Sequence, residues 1–208
     1  MLNLRWYFVA FLTGVMTFTC ASTVLAQDAA SLFASLQEEE TAEIPLLPER
    51  MLFTQRLLWG KKGLFRATNI APLTKVQRGK ELRLRRKLLI THQAIGYLTL
   101  VGMVAQGILG GQLYNGKYEL YETHKTLGNI VTATYFTGAG LSLFSPPPLV
   151  SKKIKGWSSS KAHKALATVH LSAMIATNLL AKEDRKLHRA AAYTAFGSFA
   201  LAVVVFKF

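Results

Sequence analysis

Residues 88–113 read LLITHQAIGYLTLVGMVAQGILGGQL, an apolar stretch that contains no charged side chain. An α-helix needs about 20 such residues to cross the hydrocarbon of a bilayer, so this stretch predicts a transmembrane helix. Three further apolar stretches of similar length follow at about 121–144, 162–181 and 188–206. Because the connections between them are short, we expect an all-α membrane protein in which residues 87–208 form an antiparallel four-helix transmembrane bundle.

The composition of the 208-residue chain agrees with this prediction, since 50% of the residues are hydrophobic and they are gathered into blocks. The net charge of +14 comes from lysines and arginines that flank the apolar blocks. This placement is typical of membrane topology and headgroup contact rather than of nucleic-acid binding. We therefore expect a multi-pass integral protein, located in a bacterial inner (cytoplasmic) membrane, with lipid as a partner and no nucleic acid.

The first 26 residues predict a signal peptide or, alternatively, an uncleaved anchor. Arg5 precedes an apolar run at 6–18, and the small-residue exit Val24-Leu25-Ala26 follows. The single cysteine, Cys20, lies inside this segment, so a processed chain would contain no thiol for an iron–sulfur cluster or covalent haem. An export signal would place residue 27 outside, whereas the basic residues before the first span favour the cytoplasm, and both orientations stay open.

Residues 27–86 form a surface segment that is first acidic and then basic. Within it, apolar residues at about 51–65 alternate with Arg56, Lys61 and Lys62, which predicts an interfacial amphipathic helix. That helix could be a lid or docking surface over the membrane domain, or a simple headgroup anchor. The basic run at 75–87 could dock haem propionates or an acidic partner, or only fix the topology.

The five histidines of the chain all lie in the four apolar stretches. Four of them begin related phrases, which are His92-Gln-Ala-Ile-Gly96, His124-Lys-Thr-Leu-Gly128, His163-Lys-Ala-Leu-Ala167 and His188-Arg-Ala-Ala-Ala192. Ionisable side chains inside a membrane are costly and usually functional, and neutral imidazole is a common axial ligand of haem iron. The pattern therefore predicts haem b held by histidine.

Antiparallel helices place the starts of the first and third spans at one face and those of the second and fourth at the other. His124 can then pair with His188, and His92 with a histidine of the third span. That span offers His163 and His170, whose side chains share a helix face and are separated by roughly 10 Å of rise. The shared phrase favours His163, whereas depth relative to the flanking lysines favours His170.

We expect His170 to be the ligand, with His163 near the edge of the haem. The predicted axial ligands of two bis-histidine haems b are thus His92 with His170, and His124 with His188. Two such sites, one near each face, would allow an electron to cross the membrane in two steps.

Part of this pattern is similar to the cytochrome b561 family. His92, Gly96, Gln106 and Gly110 reproduce the H-x3-G-x9-Q-x3-G pattern of a family helix that begins with a haem-ligating histidine. His124, followed four residues later by glycine, resembles the next family helix. The resemblance covers roughly residues 85–206. It implies a four-helix di-haem core, b-type haem and electron transfer through the membrane.

The expected function is that of an electron carrier, or the membrane subunit of an oxidoreductase, between a quinol-like donor and an unknown acceptor. A quinone or a redox partner protein is the expected partner. Two other functions stay open: a membrane protein that handles zinc or copper, and a cofactor-free membrane anchor subunit. The spans contain almost no acidic residues and only isolated methionines, Met103 and Met174, which disfavours a metal-transport path.

Overall fold

The computed structural model describes residues 45–149 and 158–205, which belong to one compact unit, Ile44–Phe208. The described residues contain helices and no strands, which confirms the all-α prediction. The predicted signal peptide, with Cys20, lies outside the described residues. The helices are α1 (Phe53–Trp59), α2 (Leu64–Ala67), α3 (Lys75–Tyr114), a 3-10 turn (Tyr118–Leu120), α4 (Tyr121–Leu143), α5 (Ser159–Leu179) and α6 (Arg185–Val205).

Helix α3 begins well before the apolar stretch that predicts it. The hydroxyl of Thr74 accepts a 3.2 Å hydrogen bond from the backbone N–H of Gln77 and caps the helix. From there the basic run and the apolar stretch continue as one helix of 40 residues. At 1.5 Å per residue its length is about 60 Å, roughly twice the hydrocarbon thickness. The basic run is therefore a rigid extension of the first apolar stretch.

Four helices match the four predicted spans in position, but they differ in apolarity. Among the described residues, α3 and α6 are long and apolar enough, by length and composition, to cross a membrane. Helices α4 and α5 have 23 and 21 residues and carry more threonine, serine and asparagine. Helix α4 ends at Leu143, before the predicted stop at Pro146.

The long helices pack as two hairpins, α3 with α4 and α5 with α6. The two hairpins contact each other much less extensively, mainly through α3 and α6. Small and medium side chains meet in the shared core, which contains Met103, Val131, Tyr135, Ala173, Met174 and Ala195. The histidines therefore lie on a framework of two closely packed hairpins that share one buried core.

The interval predicted as one interfacial helix contains the two short helices α1 and α2. Gly60 and Gly63 lie between them. The backbone at Gly60 follows a path that admits no side chain, because a Cβ there would lie 2.4 Å from the carbonyl oxygen of Arg56. Helix α1 packs on the end of α4. The Thr54 hydroxyl donates to the carbonyl of Leu143 at 2.6 Å, and the Trp59 indole N–H donates to that of Phe144 at 3.0 Å. These bonds satisfy carbonyls that a helix C-terminus leaves unpaired.

The basic run supplies two arginines that bind the segment after α4. Arg78 is 1% exposed and donates to the carbonyls of Leu46 and Pro147 at 2.7 and 3.1 Å. Arg85 donates to the carbonyl of Pro146 at 2.7 Å, and burial, followed by the nearby Arg78 charge, lowers the pKa of Arg85. Two cations of the run are thus occupied inside the protein. Lys80, Arg83, Arg86 and Lys87 are exposed.

Candidate functional site

The structure separates the five histidines into two groups. His124 of α4 and His188 of α6 are neighbours near the C-terminal end of α3. At the opposite end, His92 of α3 lies within electrostatic range of both His163 and His170 of α5. All five side chains are partly buried. The chain therefore brings together the residues that the sequence places at each end.

The His124 and His188 rings are close neighbours at an edge-to-face angle. Their centroids are 6.4 Å apart and their planes are inclined by 82°. A histidine nitrogen binds a metal at about 2 Å, so the centroids of two imidazoles on opposite sides of one ion are about 6 Å apart. The observed separation agrees with that value. The pair thus has the spacing of two axial ligands.

A glycine and a glutamine of α3 lie beside His124. A Cβ at Gly110 would lie 3.1 Å from its Cε1 atom, so glycine allows α3 to approach the ring. The side-chain amide N–H of Gln106 donates to the backbone carbonyl of His124 at 2.7 Å. The Nδ1 of His124 and the Oε1 of Gln106 are buried and have no hydrogen-bond partner. Orphaned buried polar atoms beside a histidine pair are consistent with a site that is completed by a bound group.

Three other histidines are oriented by backbone carbonyls. The Nδ1 of His92 lies 2.8 Å from the carbonyl oxygen of Gly138, that of His188 lies 2.8 Å from Thr177, and that of His163 lies 3.2 Å from Ala202. A carbonyl only accepts, so each Nδ1 carries the proton in the neutral ring. The lone pair of each neutral ring then lies on Nε2, the nitrogen that would face a metal. Hydrogen bonds of this kind to the other ring nitrogen are usual for metal-ligating histidines.

His170 has a different partner, which the sequence analysis did not identify. Its Nδ1 lies 2.6 Å from the hydroxyl of Tyr135, a residue of α4 that is 3% exposed. Phe199 of α6 packs against the same ring, with centroids 5.1 Å apart. In the sequence, Tyr135 is distinguished only as a phenol in the interior of a span, where a polar group needs a hydrogen-bond partner.

Glycines leave open space beside both histidine groups. Gly96 lies one turn after His92 and Gly111 lies next to Gly110, and a Cβ at either position would meet nothing within 4 Å. Both residues are partly buried in spite of this. Open space therefore adjoins α3 near both histidine groups.

Comparisons with known proteins identify no relative: no family model, no curated protein and no solved structure matches this chain. Within residues 45–149 and 158–205, no group of three or more His, Cys, Asp or Glu side chains has the arrangement of a metal site. The candidate site therefore rests on paired histidines and on the geometry described above.

Proposed function

We propose that this protein is an integral membrane cytochrome with two b-type haems, similar in its core to the cytochrome b561 family. In this proposal residues 1–26 direct export, and α3 to α6 form an antiparallel four-helix transmembrane bundle in a bacterial inner membrane. One haem is held by His124 and His188. The other is held by His92 together with a histidine of α5.

The observation that carries the proposal is the pairing of His124 with His188. Two imidazoles on different hairpins, with ring centroids 6.4 Å apart, have the separation of axial ligands on one iron. The fixed Nδ1–H of His188 and the open space at Gly111 support the same reading.

Surface chemistry supports a membrane location for all four long helices. Large apolar side chains project outward from each of them, while buried positions hold small or hydroxyl residues such as Thr99 and Ser198. Exposed examples, with exposed fractions of 43 to 62%, are Leu98 and Val101 on α3, Ile130 on α4, Val169 and Ile175 on α5, and Leu201 on α6. Extended apolar surface of this kind needs lipid or protein to cover it.

The end of the bundle near His124 has the composition of a membrane interface. Tyr114, Tyr118 and Tyr121 are exposed there. The Arg189 guanidinium lies 3.9 Å from the centroid of the Tyr114 ring and connects α6 with α3. Tyrosine and arginine are enriched where a helix leaves the hydrocarbon.

Haem held by two histidines would supply one-electron transfer. Backbone carbonyls orient His92, His163 and His188 and fix the proton on their Nδ1 atoms, and Tyr135 orients His170. A quinol-like donor would deliver electrons at one face, and a redox partner protein would accept them at the other. The exposed cations Lys80, Arg83 and Lys87 offer a surface for an acidic partner or for lipid headgroups.

Reduced-minus-oxidised spectra of the purified full-length chain test the proposal. We expect a Soret band, sharp reduced alpha bands and two haems b per chain by pyridine haemochrome assay. His124→Ala and His188→Ala should each leave one haem, and the same one. The matched control Lys125→Ala, next to His124 and exposed, should keep both.

Three outcomes contradict the proposal. A colourless protein from haem-replete cells that carries bound zinc or copper would indicate a metal-handling protein. A protein with neither haem nor metal would indicate an anchor subunit. Loss of different haems from the two variants would show that His124 and His188 do not share one iron.

A further inference from the structure

The two helical hairpins repeat each other in sequence. When His92 of α3 is aligned with His163 of α5, six identical residues recur over the next five turns, at His92/His163, Ala94/Ala165, Leu100/Leu171, Met103/Met174, Ala105/Ala176 and Leu109/Leu180. In the second helix of each hairpin, aligning His124 with His188 also aligns Lys125 with Arg189 and Tyr135 with Phe199. Two residues that align in this way are counterparts of each other.

Counterparts also lie near one another in space, and two pairs, His124 with His188 and Tyr135 with Phe199, are ring neighbours. Met103 and Met174 both lie in the buried core between the hairpins. Val131 and its counterpart Ala195 lie in the same core, and Phe199 packs against Tyr135 with ring centroids 5.8 Å apart. Contact between equivalent positions of two units is the mark of a two-fold relation. The hairpins therefore face each other across an approximate two-fold axis.

The hydrogen bonds of the histidines follow the same relation. Gly138 lies fourteen residues after His124, and Ala202 lies fourteen residues after His188. His92 donates to the carbonyl of Gly138, and its counterpart His163 donates to the carbonyl of Ala202. The same hydrogen bond from histidine to a backbone carbonyl is thus made twice, once in each hairpin.

The opposite end shows a related correspondence. His188 donates to the carbonyl of Thr177, whose counterpart in the first hairpin is Gln106. Gln106 in turn bonds the backbone of His124, the counterpart of His188. The same two positions are joined in both hairpins, although the donor differs. The well-paired histidines at this end, His124 and His188, are themselves counterparts.

We propose that the α3–α4 and α5–α6 hairpins are two copies of one unit and that His163, rather than His170, binds the second haem together with His92. This inference rests on the proposed di-haem function. A haem on a two-fold axis takes one ligand from each copy at equivalent positions, as His124 and His188 do. His163 is the counterpart of His92, and its Nδ1 donates to the carbonyl at the equivalent position, Ala202 instead of Gly138.

His170 is then a positioning residue. Its counterpart is Thr99, which bonds Thr134 inside its own hairpin at 3.3 Å. His170 departs from the repeat and bonds Tyr135 of the other hairpin at 2.6 Å. Since His170 lies seven residues after His163 and seven before Thr177, this bond joins the hairpins midway between the two histidine groups.

The test compares His163→Ala with His170→Thr in the full-length protein, the second variant taking the residue of its own counterpart. Pyridine haemochrome assay and redox titration should give one haem for His163→Ala, with the same component missing as in His92→Ala. His170→Thr should keep both haems and shift their midpoint potentials. Tyr135→Phe, also a counterpart residue, should give the same shift, with no further change in the double variant.

Ligand replacement provides a measurement that does not depend on losing haem. His163→Met should retain two haems, with one changed to a histidine–methionine spectrum and a raised potential, because methionine can serve as an axial ligand. His170→Met should show no such spectrum. Loss of a haem from His170→Thr, or two haems of unchanged spectrum in His163→Ala, would overturn the assignment. A wild-type chain without haem would instead refute the proposed function.

Discussion

Replacing Glu81 with alanine should destabilise the protein strongly. The Glu81 carboxylate lies between the guanidinium groups of Arg66 and Arg78, and the exposed fractions of these side chains are 1%, 5% and 1%. It accepts from Arg66 at 2.9 Å and also binds Arg78. Without it, two buried cations face each other with no counter-charge.

Breaking a buried ion pair by removing one partner costs about 3–5 kcal/mol. The chain contains a matched exposed pair, Glu122 and Lys125, joined at 3.3 Å with side chains that are 73% and 53% exposed. Pairs of that kind contribute about 0–1 kcal/mol. We therefore expect Glu81→Ala to lower the free energy of unfolding several-fold more than Glu122→Ala does.

Unfolding in detergent, followed by circular dichroism against denaturant concentration, measures both variants under one condition. Salt provides a second reading, because a buried pair is screened less than an exposed one. If Glu81→Ala and Glu122→Ala lower the stability equally, the burial of the Arg66–Glu81–Arg78 network does not stabilise the packing of α2 against α3. Equal sensitivity to salt would lead to the same conclusion.

Two further perturbations test the packing around α4. Gly110→Leu should push the His124 ring away and remove the haem of that end only, because a Cβ at this position would lie 3.1 Å from the ring. Gly107→Leu is the control, since a Cβ there would meet nothing within 4 Å. Equal haem content in both variants would contradict the close approach of α3 to His124. Trp59→Phe should cost about 1 kcal/mol of stability through the lost hydrogen bond to the carbonyl of Phe144, and an unchanged unfolding midpoint would show that α1 does not cap α4.

Local sequence predicts the positions of the four long helices, but neither the full length of α3 nor the division of the interval at 51–65. Apolar stretches of about 20 residues predict the four long helices, and Pro146 predicts where α4 must stop. The glycines that divide the interval at 51–65 were visible in the sequence, yet the apolar pattern around them favoured one helix. Only the backbone path, in which a Cβ at Gly60 would meet the carbonyl of Arg56, gives two.

The ends at which the histidines lie also follow from sequence, because antiparallel helices of known length reverse the order of their residues. The sequence also predicts that His124 and His188 are neighbours, which the structure shows. The hydrogen-bond partners of His92, His163 and His170 do not follow, since they lie 35 to 46 residues away in the chain. Within a helix, the rise of 1.5 Å per residue sets the position of a side chain along the axis, and the period of 3.6 residues per turn sets its direction around the axis. Packing between the helices decides which group each side chain meets. Only the tertiary structure therefore distinguishes His163, which bonds a backbone carbonyl, from His170, which bonds a tyrosine.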